Sequence, residues 1–395
     1  MKKSFPKGLF FALCYFFYTS IYLSRINLSM ASPALLADGV LTEVELGFIG
    51  SAFSVIYAIG RLCNGVLGDR LAPWVMVSVG LLGTGIANMF IGVLPPYLLI
   101  LGLWCINAFA QSMLWSALLR CITAIYGREE ANRKATILVS SVSAGNIGSI
   151  LLSSVLVSNF GVSAAFYVPG AVCVICGVTA MYILRQVPDT DRIKVQKSTG
   201  FGPLLRNREM RGMLVPAMVH GAIRDNVSLW MVVYFLDRFA IDLKSSAWYV
   251  LLIPLIGMAA RLAYPLCYKW SRQREHLISL YSFGACVVFA GILCLQPSVP
   301  IVAALCLSML YALVSMVNTS LTSVFPLRFT AQNMVSSVSG VSDFFTYIGS
   351  GIGQAVYGFV VAQFGYLPMF LSWAVLSVVS VLLVLRQKPF ALIEV

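Results

Sequence analysis

Charged side chains are scarce in this chain. Only 11% of its 395 residues are Asp, Glu, Lys or Arg, whereas 59% are hydrophobic. Soluble domains carry about 25% charged residues, so this composition excludes an ordinary soluble protein. The charges also fall between apolar runs of about 18 residues or more, and such runs are long enough to cross a hydrocarbon core. The composition therefore indicates a polytopic protein embedded in a lipid bilayer.

Residues typical of hydrolytic and redox chemistry are few or lack a pattern. The chain has two histidines, and it contains no Gly-x-x-x-x-Gly-Lys-Ser/Thr, His-Glu-x-x-His or Gly-x-Ser-x-Gly sequence. Its ten cysteines are scattered through apolar segments, and even Cys173 and Cys176 lie inside one. We interpret them as small buried hydrophobic residues, not as a disulfide framework or a metal site. The sequence thus predicts a protein that is not an enzyme and that has no cofactor or metal.

Negative charge is the scarcer sign, with 15 acidic residues against 27 lysines and arginines. Such an excess can indicate nucleic-acid binding, but here the basic residues lie between hydrophobic helices. Most of them fall in segments that face the cytoplasm if both termini do, and cytoplasmic loops are enriched in Lys and Arg. The charge pattern therefore predicts cytoplasmic termini and no nucleic-acid partner.

The apolar runs predict twelve spans, divided by one long polar connector at residues 186–211. We expect an N-terminal six-helix bundle at 1–185 and a C-terminal six-helix bundle at 212–395. The two halves echo each other at an offset of about 200 residues. The matching features are Arg25 with Arg224, Arg61 with Arg261, and Asn146-Ile-Gly-Ser with Tyr347-Ile-Gly-Ser. Parallel repeats of this kind place a substrate site near the bilayer midplane.

The first apolar run contains an arginine near its middle. Tyr18, Tyr22 and Arg25 have the i, i+4, i+7 spacing of one helical face. The opposite face is expected to point towards lipid, and it carries Phe16, Phe17, Ile21 and Leu28. An arginine at the centre of a membrane helix costs about 2.5–3.5 kcal/mol on insertion scales, which suggests that it serves an anion in a water-filled pathway. The alternatives are a side chain that snorkels to the interface and a structural ion pair.

The segment after the second predicted span carries a recognisable loop motif. It reads Gly65-Val-Leu-Gly68-Asp69-Arg70, and Leu71 follows where a further basic residue is usual. This segment resembles the Gly-x-x-x-Asp-Arg loop of the major facilitator superfamily. The resemblance implies an all-α integral membrane protein with twelve transmembrane helices in two pseudo-symmetric six-helix halves. It says nothing about the substrate.

Within that superfamily, several stretches most resemble the organophosphate:phosphate antiporters, which carry glycerol phosphate and hexose phosphates. These stretches are Tyr18-x-x-x-Tyr22-x-x-Arg25-x-Asn27, Tyr57 with Arg61, Gln111 with Trp115 and Arg120, Arg224 with Trp230 and Tyr234, and Phe345-Thr-Tyr347-Ile-Gly349. In that family the arginines of spans 1 and 7 bind the substrate phosphate. The resemblance implies that Arg25 and Arg224 bind an anion. It also implies a site lined by Tyr18, Tyr22, Tyr57, Arg61, Gln111, Trp115 and Tyr347.

The chain departs from that family at several charged positions. A span-5 histidine is replaced by Gly145, and the acids of spans 7 and 8 are replaced by Leu229 and Ile253. Those acids pair with basic residues in the family, so the pocket is expected to be more positive or to be balanced elsewhere. The acids and histidine available nearby are His220, Asp225 and Asp343. Asp343 is the first candidate for proton coupling and His220 the second, although Asp343 could instead be a fixed counter-ion of Arg224.

These features predict a secondary active transporter of a small organic anion, first of all an antiporter for a phosphorylated metabolite. Inorganic phosphate or a proton is the expected coupling species, and the carrier is expected to be a monomer in a cell inner membrane. One alternative is a proton-coupled symporter of a carboxylate or sugar acid, because the span-1 pattern also resembles the anion:cation symporters. A ligand sensor of the same fold is another. A multidrug exporter is disfavoured, because this site would repel cationic drugs.

Overall fold

The computed structural model describes residues 6–68, 71–126, 128–187, 206–272, 274–332 and 335–386. Within these ranges the regular elements are all helices, and no strand occurs among them. The predicted all-α class is therefore confirmed. Asp69 and Arg70 of the loop motif lie outside the described residues, as does most of the 186–211 connector.

Thirteen α-helices occur in the described residues. They are α1 (Lys7–Ala37), α2 (Glu43–Gly68), α3 (Pro73–Ile91), α4 (Tyr97–Ser112), α5 (Leu114–Tyr126), α6 (Arg128–Phe160), α7 (Ala164–Leu184), α8 (Arg208–Phe239), α9 (Leu243–Trp270), α10 (Glu275–Cys294), α11 (Pro300–Thr319), α12 (Val335–Phe364) and α13 (Leu367–Leu385). A π-helical turn at Ser320–Val324 and a 3₁₀-helix at Phe325–Gln332 follow α11. Helices α4 and α5 form one span that is interrupted at Met113.

Eleven helical stretches of the described residues are long and apolar enough to cross a membrane. Helix α8 is outside that group although its 32 residues exceed the length that a span needs. Its middle carries Arg224, Asp225 and Asn226, which lower its mean hydropathy. The helix coincides with the predicted seventh span. The least apolar span is thus the one that carries the second candidate arginine.

The chain divides into two compact units. The first comprises Met1–Leu41 and Ile56–Gln196, and the second comprises Thr42–Val55 and Lys197–Val395. The second unit therefore includes the first part of α2 in addition to the helices that follow the connector. The sequence alone assigns all of α2 to the first half, because the connector is the clearest polar break in the chain.

Helix α1 is central to the first unit, where it packs against α5, α6 and α7. This position explains an error in the sequence analysis. Phe16 is half exposed, as expected for a lipid-facing residue, but Phe17, Ile21 and Leu28 are buried. Their face of α1 contacts neighbouring helices and not lipid. Most of the circumference of α1 is therefore protein interior, including the turn that carries Arg25.

Glycines allow the close helix contacts in both units. In the first unit, a Cβ atom on Gly145 of α6 would lie 2.5 Å from the Cβ of Tyr22. In the second, a Cβ on Gly349 of α12 would clash with the Met218 carbonyl oxygen of α8. Small residues at such positions let the backbones of membrane helices approach closely. The contact of α8 with α12 places Arg224 and Tyr347 in the same part of the second unit.

Gly349→Ala is expected to destabilise the protein. The added methyl would meet backbone atoms of Met218, which cannot rotate away as a flexible side chain could. Overpacking of this kind costs about 1–3 kcal/mol. Thermal unfolding in detergent should show a lower midpoint for this variant. Gly284→Ala is the matched control, because a methyl group added there would have nothing within 4 Å and alanine favours the helix. Equal midpoints for the two variants would contradict this account of the contact.

Candidate functional site

Arg25 lies near two tyrosine rings in the first unit. The guanidinium carbon of this partly buried residue is 5.0 Å from the ring centroid of Tyr57 and 5.9 Å from that of Tyr22. A guanidinium over an aromatic face is attracted by the ring quadrupole, more strongly where water is excluded. Cation–π contacts involve the face of the guanidinium, whereas anions bind to its in-plane N–H groups. The structure thus brings together three residues that the sequence assigned to a substrate site.

Further aromatic side chains surround this arginine. The ring centroid of Tyr18 is 5.7 Å from that of Tyr22 and 5.2 Å from that of Trp115. Tyr18 and Tyr57 are buried, whereas Tyr22 and Trp115 are partly exposed. Arg61 interacts electrostatically with Tyr18. The predicted aromatic residues of α1, α2 and α5 therefore form one cluster with Arg25.

Gln111 is placed differently from the other predicted site residues. It is 1% exposed, and its Nε2 donates to Asn107 Oδ1 at 3.0 Å and to the Ile21 and Ser24 carbonyls at 3.3 and 3.4 Å. The Ser24 carbonyl also accepts from Asn107 Nδ2 at 3.1 Å and from Asn88 Nδ2 at 3.4 Å. Three amides from α3 and α4 therefore hold the α1 backbone immediately before Arg25. Gln111 is suited to positioning Arg25.

Asn88 and Asn107 were missed in the sequence analysis. They could have been recognised as uncharged amide side chains inside apolar spans, where an unsatisfied polar group is costly. Asn88 Oδ1 also accepts from Asn27 Nδ2 at 2.9 Å, and Asn27 donates to the Ala165 carbonyl at 3.0 Å. These bonds connect α1, α3 and α7. The asparagine of the span-1 pattern thus serves the packing of the first unit.

Arg224 forms a bidentate ion pair with the next residue along α8. Its Nε is 2.7 Å from Asp225 Oδ1 and its Nη2 is 3.1 Å from Asp225 Oδ2. Both side chains are 15% exposed. Its guanidinium carbon lies 5.6 Å from the ring centroid of Tyr347. The counter-charge that the sequence lacks at Leu229 and Ile253 is therefore supplied by Asp225.

Asp225 is in turn held by a serine of α12, and this serine lies beside a serine of α2. Ser350 Oγ donates to Asp225 Oδ2 at 2.7 Å, and the hydroxyl oxygens of Ser350 and Ser54 are 2.9 Å apart. Ser54 Oγ donates to Gln354 Oε1 at 2.8 Å. All of these groups belong to the second unit. Nothing in the sequence pattern singles out these serines, because small residues are common at membrane helix contacts for packing reasons alone.

The two proton-coupling candidates lie on the packed helices α8 and α12. Asp343 is partly buried on α12, one turn before Tyr347. His220 is buried, with its Nδ1 2.9 Å from the Ala217 carbonyl oxygen and 3.4 Å from Thr346 Oγ1. In the described residues, the ion pair of Arg224 is with Asp225. The contact of the His220 ring with Thr346 places His220 where α8 and α12 approach each other.

Comparison with known proteins agrees with the resemblance found in the sequence. The chain is 30% identical over 173 residues to a probable hexose phosphate transport protein of Chlamydia trachomatis serovar D, covering 44% of this chain and 38% of that protein. It is 27% identical over 174 residues to the membrane sensor protein UhpC of Escherichia coli K12, covering 43% and 39%. It is 24% identical over 279 residues to the glycerol-3-phosphate transporter of Haemophilus influenzae, covering 60% and 58%. The matches thus span less than two thirds of these relatives.

Solved structures of transporters share the fold at low sequence identity. The nucleoside transporter NupG superposes with a TM-score of 0.73 at 16% identity, covering 95% of this chain and 97% of that one. A bacterial homologue of the lysosomal transporter Spinster gives a TM-score of 0.72 at 14% identity, with coverage of 97% and 95%. The sequence profile of the Major Facilitator Superfamily matches residues 13–354, which is most of the chain. This multi-pass membrane protein therefore belongs to the Major Facilitator Superfamily and resembles its organophosphate:phosphate antiporters.

Proposed function

We propose that this protein is a secondary active transporter of a small, phosphorylated organic anion. The observation that carries the proposal is the pair of arginines at equivalent positions of the two sequence repeats. Each guanidinium faces a tyrosine ring, Arg25 with Tyr57 and Arg224 with Tyr347. The names of the relatives, which include hexose phosphate and glycerol-3-phosphate transport proteins, support the phosphate group.

The chemistry of arginine suits this task. A guanidinium stays charged at physiological pH and can hold a phosphate through two parallel hydrogen bonds. We propose that Arg25 and Arg224 bind the same anion during alternating access, and that the tyrosines donate hydroxyls to it. Trp115 packs against the organic part, while Arg61 steers anions towards the site. Since a bound anion neutralises the arginines, the loaded carrier reorients more easily than one with both guanidinium groups uncompensated.

The experiment that tests this function is transport by the purified protein in liposomes. Vesicles loaded with inorganic phosphate are exposed to labelled glucose 6-phosphate, glycerol 3-phosphate, glucose and gluconate, with and without a pH gradient. We expect uptake of the phosphorylated compounds only. Uptake of gluconate that follows the pH gradient would instead support a proton-coupled symporter of sugar acids.

A ligand sensor is the second candidate, because one relative is the membrane sensor protein UhpC. A sensor of this fold would bind glucose 6-phosphate without moving it. Binding measured on the purified protein, together with absent uptake in the same preparation, would favour the sensor. For either function we propose a monomer in a cell inner membrane with both termini in the cytoplasm, as the distribution of Lys and Arg predicts.

Asp343→Asn tests whether the carrier uses a proton. Asp343 is a partly buried carboxylic acid on α12, one turn before Tyr347. If Asp343 couples proton and anion, its variant should lose pH-gradient-driven uptake more than it loses exchange at equal pH. Uptake in both assays is measured with glucose 6-phosphate. Equal losses would make Asp343 part of binding or folding, and no loss would remove it from the mechanism.

A further inference from the structure

The ion pair of Arg224 occupies one of the edges through which a guanidinium can bind a phosphate. Asp225 takes the Nε and Nη2 hydrogen bonds, at 2.7 and 3.1 Å, and these two nitrogens form one complete edge of the guanidinium. A carboxylate on this edge imitates a bidentate anionic ligand. A substrate that binds the same edge must therefore displace Asp225.

Asp225 has partners besides Arg224. Ser350 Oγ donates to its Oδ2 at 2.7 Å, and Ser350 in turn lies 2.9 Å from the hydroxyl oxygen of Ser54. Ser350 comes this close because Gly349 lets the backbones of α8 and α12 approach each other. A carboxylate displaced from Arg224 would keep this hydroxyl donor. Asp225 therefore has a second partner when another anion takes its place at the arginine.

The pair also neutralises the charge of Arg224 when substrate is absent. Arg224 and Asp225 are 15% exposed, and an arginine at membrane depth without a counter-charge is expensive. With Asp225 in place, the charge of Arg224 is neutralised without substrate. A carrier that lacked such a residue would need an anion at this arginine for every passage across the membrane, and it would only exchange anions.

We propose that Asp225 is a built-in anion that replaces substrate at Arg224, and that it lets the empty carrier reorient. This inference rests on the proposed function, and it adds a mode of coupling to it. The carrier then performs net transport as well as exchange. Asp225 acts in the empty state, where it compensates the charge of Arg224, whereas Arg224 contacts the substrate.

The test compares two assays on the full-length protein in liposomes of phosphatidylethanolamine and phosphatidylglycerol, at equal pH and clamped membrane potential. Exchange is labelled glucose 6-phosphate uptake into vesicles that contain inorganic phosphate. Net transport is the same uptake into vesicles without a permeant anion. We expect Asp225→Asn to lower the ratio of net transport to exchange by about tenfold, the factor that corresponds to about 1.4 kcal/mol.

Ser350→Ala provides a second variant that keeps the charge of Asp225 and removes one of its donors. We expect it to lower the same ratio by a smaller factor, so it carries the test if Asp225→Asn does not fold. Ser342→Ala is the matched control, since Ser342 is another buried serine of α12, two turns away. Its ratio should equal that of the wild type.

Several results would overturn the inference. An unchanged ratio in Asp225→Asn, or in Ser350→Ala if the first variant does not fold, would show that the empty carrier does not use Asp225. Equal loss of both activities in Asp225→Asn would assign Asp225 to binding or folding. Wild-type exchange without net transport would refute the inference alone. No wild-type uptake of glucose 6-phosphate in either assay would refute the proposed function, and the inference with it.

Discussion

Arg25→Lys is expected to lower uptake about 100-fold at substrate concentrations below KM, while the protein still folds. A lysine keeps the charge, but it is a point charge that cannot form the planar fork of a guanidinium or stack on an aromatic ring in the same way. A hydrogen bond to a charged group contributes about 1.5–3 kcal/mol, and the upper end of that range corresponds to roughly 100-fold. The loss of contact with Tyr57 and Tyr22 acts in the same direction.

Uptake of glucose 6-phosphate by reconstituted protein measures this effect. Arg120→Lys is the matched control, because Arg120 is also in the first unit and donates to the Leu71 carbonyl at 3.3 Å. That variant should transport nearly as well as the wild type. Arg224→Lys should resemble Arg25→Lys if the two arginines are functionally equivalent. Near-normal uptake by Arg25→Lys would mean that Arg25 is a structural residue.

Arg328→Leu is expected to lower the free energy of unfolding by about 3–5 kcal/mol, because it would leave a buried carboxylate without its partner. Arg328 and Glu275 form an ion pair in which their side chains are 5% and 7% exposed. Arg328 Nη1 also lies 3.8 Å from Glu209 Oε2, and the guanidinium faces the Phe325 ring at 5.4 Å. This cluster joins the 3₁₀-helix to the N-terminal ends of α8 and α10.

The stability of each variant is measured by thermal unfolding in detergent and by titration with a denaturing detergent. The double variant Arg328→Leu/Glu275→Leu should recover most of the loss, because replacing both members of a buried pair by apolar groups is often nearly neutral. Arg238→Leu is the control, since Arg238 is exposed in the same unit and should change stability little. A double variant as unstable as Arg328→Leu would show that the pair is not the source of the effect.

The sequence by itself determined the fold class, the superfamily and the region of the first arginine. These follow from local properties, since hydrophobic length and the cost of a charge in lipid depend on residues close together in the chain. The i, i+4, i+7 spacing of Tyr18, Tyr22 and Arg25 belongs to one helix, so it predicted their common cluster. Trp115 and Tyr57 were assigned to the same site because of the family resemblance and not because of their spacing.

Only the tertiary structure decided which polar groups meet. Neighbouring residues of a helix point about 100° apart, so helical spacing did not indicate that the side chain of Arg224 forms an ion pair with the next residue, Asp225. The hydroxyl that donates to Asp225 comes from Ser350 of α12, 125 residues away along the chain. Likewise, Gln111 donates to the backbone of α1 because α4 packs there. Partners on distant helices depend on which helices pack together, and helical periodicity carries no information about that.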